Sequence, residues 1–305
     1  MAKADFDHIY TADDPRQYFR TLSQFGYEIP AHAATVFSQV AQAVAVSDPP
    51  HIVDLCCSYG VNATVFNHDL DFDDVVERYC DPALDTVEPD ELADLDRDFY
   101  RANISDGTFR FTGVDVAQPA IDYAANIGLL DAGFAEDLEQ NEPTPELAAD
   151  LRTADLITVC GGIGYITEKT LDRVFTHAER PRLAALCLRW IDFAPIVAIG
   201  AAHGLVTERL EEATFPQRRF ADDIERRHAE AELARLGIDG GGRESEGWHH
   251  TDFYLLRPAE EAAARPLASL LEPSGAIGDD GRPVDVDDVG ARVITVADAW
   301  VEATG

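Results

Sequence analysis

The stretch Val53-Asp54-Leu55-Cys56-Cys57-Ser58-Tyr59-Gly60 decides the fold of this chain. Its apolar first part predicts a buried strand over 51–56, and its small residues predict a tight turn that ends at Gly60. A helix is predicted over 61–68, directly after the turn. Parallel α/β sheets bind nucleotide-bearing ligands at such a junction of strand, turn and helix. The sequence therefore predicts a ligand site at this turn.

Predicted strands and helices alternate along the chain on both sides of this junction. Their order indicates parallel strands joined by crossover helices, and it predicts an α/β fold with a doubly wound, mostly parallel, Rossmann-like sheet. The further strands are predicted over 109–115, 133–138, 155–160, 183–191, 205–211 and 249–256. The crossover and later helices are predicted over 118–128, 168–178 and 221–236.

An N-terminal cap precedes this core. Residues 1–50 predict a helical cap, in which one helix has Asp14 as its N-cap and Pro15 at its first position. A second helix is predicted after Pro30. The core domain itself is assigned to residues 51–257.

Two acidic segments add to the core. Residues 69–106 predict a helical insertion within it. Residues 258–305 form an acidic C-terminal extension with one predicted strand, Arg292–Val296. Because it falls outside the α/β pattern, the extension either packs on the core, contacts a partner chain in a homodimer, or is partly disordered.

Charge and composition exclude some classes of binding partner. The 305 residues carry a formal net charge of −33, from 57 acidic and 24 basic residues. Such a charge repels phosphate groups, so nucleic acid and an anionic membrane surface are excluded as partners. The five scattered cysteines indicate no disulfide framework, and the most apolar stretch, 183–206, is interrupted by charged residues. These features predict a reduced, cytoplasmic protein.

The opening stretch resembles the first motif of the class I S-adenosylmethionine (SAM)-dependent methyltransferases, an acid, a spacer and then Gly-x-Gly-x-Gly. Asp54 matches the acid and Gly60 the third glycine, while Cys56 and Ser58 stand where the first two glycines are expected. Both substitutes are small but carry a Cβ, which limits positive φ. The resemblance covers about residues 51–257 and implies a seven-stranded sheet whose last strand is antiparallel.

The resemblance implies SAM as the cofactor and assigns three further strand ends to it. Asp115, followed by Val116, matches the acid that accepts hydrogen bonds from the ribose hydroxyls. Asp137 and Leu138 match the pair that faces the adenine, and Cys160–Gly161 matches the segment beside the methionine portion. Each acid also has a structural interpretation, because Asp caps turns and helices and is common where strands meet loops.

Several other side chains are candidates for chemistry. Tyr165, on the glycine-rich loop after the fourth strand, is the candidate catalytic residue, because its ring would meet the sulfonium by cation–π attraction or position the acceptor. Tyr10, Tyr18 and Tyr27 in the cap either pack in the core or close over the ligand. The pair His249–His250 supplies either a base or, as we expect, a half-exposed strand histidine.

No metal site is predicted. Cys56 and Cys57 lack a second Cys-x-x-Cys or a spaced histidine, so they make a poor zinc site. We interpret them as small residues near the ligand.

Methyl transfer to a small-molecule acceptor is the function that these features favour. A second hypothesis keeps SAM but releases methylthioadenosine, either by cyclisation as in azetidine-2-carboxylate synthases or by aminocarboxypropyl transfer. An NAD-linked oxidoreductase is disfavoured by the missing Gly-x-Gly-x-x-Gly and by the late position of Asp115. A catalytically silent binding protein is the remaining alternative.

Overall fold

The strands form a single sheet in the computed structural model, which describes residues 6–211, 213–271 and 291–294. The strands are β1 (His51–Leu55), β2 (Arg110–Asp115), β3 (Ala132–Ala135), β4 (Leu156–Cys160), β5 (Leu183–Leu188), β6 (Leu205–Leu210), β7 (Phe215–Arg219), β8 (Trp248–Pro258) and β9 (Ala291–Ile294). Their order across the sheet is β3-β2-β1-β4-β5-β8-β6-β9, and β7 pairs with β8.

Helices precede the sheet and connect its strands. In the same ranges the α-helices are α1 (Asp7–Tyr10), α2 (Arg16–Ser23), α3 (Ile29–Val44), α4 (Val61–Asn67), α5 (Phe72–Cys80), α6 (Pro89–Ala102), α7 (Gln118–Asn126), α8 (Pro145–Thr153), α9 (Glu168–His177), α10 (Ala194–Ala202), α11 (Asp223–Arg235) and α12 (Ala259–Ala264). Among the residues described, no helix is both long enough and apolar enough to span a bilayer.

The strand directions confirm the predicted doubly wound sheet. Strands β1 to β5 pair in parallel, and β8 lies antiparallel between β5 and β6. Ile52 packs with the cap helix α3 and with α4 and α7, whereas Val53 packs with α8, α9 and α10 on the opposite face. Because both faces are covered, β1 is buried along its whole length.

The sheet has two strands more than the predicted seven. Strand β7 is new, and its sequence, Phe-Pro-Gln-Arg-Arg, hides it because it does not alternate and contains a proline. Strand β9 pairs antiparallel with β6 and overlaps the predicted strand Arg292–Val296. Thr295 and Val296, like the rest of the extension over 272–290 and 297–305, lie outside the described residues.

Some predicted boundaries were wrong by a few residues. The first long cap helix is assigned from Arg16, one residue later than predicted, but Asp14 still caps it, because its Oδ1 accepts a hydrogen bond from the Arg16 backbone at 3.0 Å. The third and fifth strands end earlier than predicted, at Ala135 and Leu188.

A buried carboxylate fixes the helices that occupy the predicted insertion. Asp96 on α6 is fully buried and accepts hydrogen bonds from Arg78 of α5 at 2.9 and 2.5 Å. It also accepts one from Tyr79 and one from Tyr123 of α7, each at 2.6 Å. Tyr79 stacks on Phe19 of α2, with ring centroids 4.7 Å apart. The insertion is thus attached both to the core and to the cap.

Candidate functional site

A cavity of about 700 Å³ lies between the cap and the carboxyl ends of the central strands. It is lined by the segments that follow β1, β2, β3 and β4, by tyrosines of the cap, and by β7. All the predicted site residues except Asp54 and Gly60 line it, namely Cys56, Ser58, Asp115, Val116, Asp137, Leu138, Cys160, Gly161 and Tyr165. The strand ends that the resemblance selected therefore meet at one cavity.

The turn after β1 adopts a backbone that glycine favours, with little glycine in it. Cys56 has φ 58°, Ser58 has φ 51° and Gly60 has φ 73°. The first two are left-handed although they carry a Cβ, a conformation that costs ordinary residues roughly 1–2 kcal/mol. The Cβ atoms therefore do not prevent positive φ, and the folded turn retains this strain.

Asp115 at the end of β2 holds this turn in place. Its Oδ2 accepts a hydrogen bond from the Ser58 backbone at 2.9 Å, and its Oδ1 accepts one from the Ala117 backbone at 2.9 Å. Burial raises the pKa of Asp115, and the bonds from Ala117 and Ser58 oppose that rise. The structural interpretation of Asp115 as a helix cap is thus compatible with its place on the cavity wall. Val116, the next residue, is 70% exposed at the cavity rim.

We expect glycine at either left-handed position to be tolerated or to stabilise the protein. In Cys56→Gly and Ser58→Gly the relief of roughly 1–2 kcal/mol of strain should offset the roughly 0.5–1 kcal/mol entropic cost of glycine. Urea unfolding measures the difference. Ala63→Gly, in the interior of α4 next to the same turn, is the matched control and should destabilise. A loss of stability in both turn variants equal to that of the control would contradict the strain.

Asp54 lies beneath the cavity wall and does not line it. The carboxylate accepts hydrogen bonds from Asn62 at 3.0 and 3.1 Å and from Thr158 on β4 at 2.7 Å. Burial raises the pKa of Asp54 to about 7, although the bonds from Thr158 and Asn62 oppose the shift. Asn62 itself lines the cavity, so Asp54 acts there through the residue that it orients.

Gly60 also faces away from the cavity. A Cβ placed on it would lie 3.3 Å from the Cβ atoms of Ala124 and Leu129. A side chain here would add strain at the left-handed φ and would crowd Ala124 of α7 and the nearby Leu129.

The raised pKa of Asp54 predicts how stability changes with pH. The folded state keeps a proton that the unfolded chain has lost, so this group lowers stability as pH rises from about 4 to about 7. Asp54→Asn removes that effect. Between pH 5 and pH 8 its stability should improve by about 2–3 kcal/mol relative to the unmodified chain, at about 1.36 kcal/mol per pKa unit.

Unfolding free energies at several pH values test this dependence. Asp122→Asn, at an exposed position of α7, is the control for the loss of a carboxylate. A stability difference for Asp54→Asn that does not change with pH would show that Asp54 is ionised throughout this range.

The ends of β3 and β4 complete the wall. Asp137 accepts a hydrogen bond from the Glu139 backbone at 3.0 Å, and Leu138 is buried beside it. Burial raises the pKa of the Cys160 thiol well above its usual range. Gly161 has φ 72°, and a Cβ on it would lie only 2.5 Å from Nε2 of Gln217. A side chain at 161 would therefore displace Gln217.

Cap tyrosines form the opposite wall. Tyr10, Tyr18 and Tyr27 all line the cavity, and Tyr18 also packs in the core at 3% exposure. The Tyr18 hydroxyl donates to that of Tyr27 at 3.3 Å, and the Tyr10 and Tyr18 rings meet edge to face. Core packing thus describes Tyr18, while closure of the three rings over a ligand stays a prediction. Tyr165 also lines the cavity and is 49% exposed.

The prediction of a half-exposed histidine was wrong. His249 and His250 are 0% and 5% exposed and lie outside the cavity wall, because β7 covers this part of β8. Trp190 donates to His249 Nδ1 at 3.1 Å, and Glu225 lies 3.3 Å from its Nε2. Burial, followed by the nearby Arg189, lowers the pKa of His250 to about 3. Both histidines serve the packing of β7 and β8.

Two residues of β7 belong to the site and were not predicted. Gln217 and Arg218 line the cavity although they are 5% and 2% exposed. The Arg218 guanidinium donates to both oxygens of Glu225, at 2.9 and 2.6 Å. Those bonds, after the opposing effect of burial, hold the pKa of Glu225 well below its usual range. These residues could have been found only by predicting β7, and the sequence of β7 lacks the alternation that predicts a strand.

Known structures resemble this chain distantly. No protein-family model and no curated protein match it. Magnesium protoporphyrin IX methyltransferase (ChlM) from Synechocystis PCC 6803, with bound SAM, is 13% identical with a TM-score of 0.35, over 74% of this chain and 80% of that one. The plantazolicin methyltransferase BpumL, in complex with SAH, is 10% identical with a TM-score of 0.38, over 83% and 97%. The mitomycin 7-O-methyltransferase MmcR is 14% identical with a TM-score of 0.36, over 84% and 61%.

The chain has a Rossmann-like α/β fold, as the resemblance to class I SAM-dependent methyltransferases implied. The basis is the sheet itself, in which an antiparallel β8 is inserted between β5 and β6, at the end of an otherwise parallel order. The resemblance implied that the last core strand, here β8, runs antiparallel. Identities and TM-scores this low add nothing about the reaction.

Proposed function

We propose that this chain is a SAM-dependent methyltransferase that acts on a small-molecule acceptor. The observation that carries the proposal is the turn after β1. Residues 56, 58 and 60, which stand at the motif's three glycine positions, all have a positive φ, and Asp115 holds the turn beside a cavity of about 700 Å³. A protein that used this surface only for packing would have no need of such strain.

The residues of the cavity fit SAM. Ser58 is 4% exposed, and its Oγ has no hydrogen-bond partner among the residues described, so a polar ligand would satisfy it. In the proposal Asp115 accepts from the ribose hydroxyls, Asp137 and Leu138 contact the adenine, and the turn amides and Gly161 adjoin the methionine portion. When bound, SAM supplies a methyl group activated by the sulfonium.

The chain's own contribution is position and shelter. The cap tyrosines would exclude water from the cavity, and Tyr165 would orient the acceptor toward the methyl group. When both reactants are held in line, the entropic cost of bringing them together is met on binding. This cost is a large part of the activation barrier in such reactions. We assign residues 1–50 to this cap and residues 51–257 to the cofactor domain.

An NAD-linked oxidoreductase is less well supported. Dinucleotide-binding sheets run 3-2-1-4-5-6 in parallel, whereas here the antiparallel β8 separates β5 from β6.

Product analysis tests the proposed function. The purified protein is incubated with SAM and a cell extract, and all SAM-derived products are followed by mass spectrometry. S-adenosylhomocysteine (SAH) and a methylated small molecule are expected. Methylthioadenosine as the main nucleoside product would replace methyl transfer by cyclisation or aminocarboxypropyl transfer. Binding of SAM without any product would indicate a silent binding protein.

A further inference from the structure

A bulge in β7 aims one side chain at the cavity. Pro216 pairs with His250 and Arg218 pairs with His249, so Gln217 is the extra residue between two consecutive partners. Bulges re-aim side chains and are frequent beside active sites. The backbone carbonyl of Gln217 accepts a hydrogen bond from Glu28 of the cap at 2.9 Å. The bulge is therefore fixed on the cap side, and the side chain lines the cavity.

The carboxamide of Gln217 is buried without being satisfied. The residue is 5% exposed, and Oε1 has no hydrogen-bond partner among the residues described. An unpaired buried acceptor lowers stability, so its retention indicates a partner that arrives with a ligand. The amide lies against Gly161, at the end of β4, where the reacting methyl is expected.

The charges around the cavity restrict the ligand that Oε1 would meet. Carboxylates are the commonest charged groups on the wall, namely those of Asp115, Glu136, Asp137 and Glu139. Arg218 is the basic residue on the described wall, and both oxygens of Glu225 already hold it. An anionic ligand would meet repulsion and would compete with Glu225 for Arg218.

We propose that Gln217 is the acceptor-binding residue, and that the acceptor presents an N–H or O–H group to its Oε1 and carries no negative charge. This inference rests on the proposed function, because it divides the cavity between cofactor and acceptor. The residues matched to the cofactor lie at or after the ends of β1 to β4, whereas Gln217 comes from β7 and is bonded through its backbone to Glu28 of the cap. The acceptor would thus lie between the cap and the end of β4.

The variant Gln217→Leu tests whether Gln217 binds the acceptor or stabilises the fold. Leucine keeps a similar size but removes the unpaired oxygen, so the melting temperature of the ligand-free protein should rise by at least about 2 °C. The affinity for SAH, measured by calorimetry, should stay within about twofold. Gln24→Leu, an exposed glutamine bonded to Arg20, is the control and should give no rise. A lower melting temperature for Gln217→Leu would make the residue structural, and a tenfold loss of SAH affinity would place it in the cofactor site.

Three probes test the acceptor class at saturating SAH. Tyramine carries a phenol donor and a positive charge, phenethylamine lacks the hydroxyl, and 4-hydroxyphenylacetate carries a carboxylate. Tyramine should bind at least about tenfold more tightly than 4-hydroxyphenylacetate, and Gln217→Leu should remove the preference for tyramine over phenethylamine. Equal binding of the carboxylate, an unchanged preference in the variant, or no probe binding would overturn the inference. If one of these results is found while SAH still binds, only the inference about Gln217 fails and the proposed function stands. If the protein binds neither SAM nor SAH, the proposed function itself fails.

Discussion

Asp96→Ala is expected to destabilise the protein by about 3–5 kcal/mol, as measured by urea unfolding. The carboxylate is fully buried, and Arg78, Tyr79 and Tyr123 all donate to it. Its removal leaves a cationic group and two buried hydroxyls without their acceptor. Since these donors lie on α5 and α7, the insertion should lose its attachment to the core.

Asp98→Ala is the matched control, two residues further along the same helix. Asp98 pairs with Arg101 at 3.0 Å, but its side chain is 80% exposed, and such surface pairs contribute about 0–1 kcal/mol. A similar loss in both variants would mean that the buried network adds no more than a surface ion pair.

Asp115→Ala is expected to weaken SAM binding by about 2–4 kcal/mol, because hydrogen bonds to a charged group contribute about 1.5–3 kcal/mol each. The change would remove the proposed partner of the ribose hydroxyls. It would also release the Ser58 backbone, which Asp115 now fixes at 2.9 Å. Calorimetry with SAM and SAH measures the effect.

Two further variants isolate the carboxylate's role. Asp122→Ala removes an exposed acid of α7 that bonds only to Gln118 in the contacts described, and SAM affinity should not change. Asp115→Asn keeps one acceptor oxygen and should fall between alanine and the unmodified chain. Affinity for SAM that is unchanged in Asp115→Ala would remove this residue from the cofactor site.

The sheet core was predictable because its signals are local. Continuous apolar runs such as Leu183–Leu188 identify buried parallel strands, and polar or small residues where they stop identify the binding edge. The family resemblance assigned Asp115, Asp137 and Cys160 to such strand ends, and the structure brings them to one cavity. The helices of the insertion were predictable for the same reason, because apolar residues at helical spacing are a local signal.

Other features depend on contacts between distant segments, which one sequence does not display. Strand β7 pairs only because β8 offers it an edge, so Gln217 and the burial of His249 were both missed. The burial of Asp96 depends on Tyr123, 27 residues away. The positive φ values of Cys56 and Ser58 were also not predictable from residue type, because a left-handed backbone is unusual for both cysteine and serine.

The contact between Gly161 and Gln217 makes two positions 56 residues apart behave as a single steric unit. A Cβ at 161 would occupy the space of the Gln217 carboxamide. The amide would then have to leave the orientation that the bulge in β7 gives it. Among descendants of this chain, a larger residue at 161 should therefore appear together with a shorter one at 217. Substrate range would then diverge by paired replacement at these positions, while the cofactor turn stayed as it is.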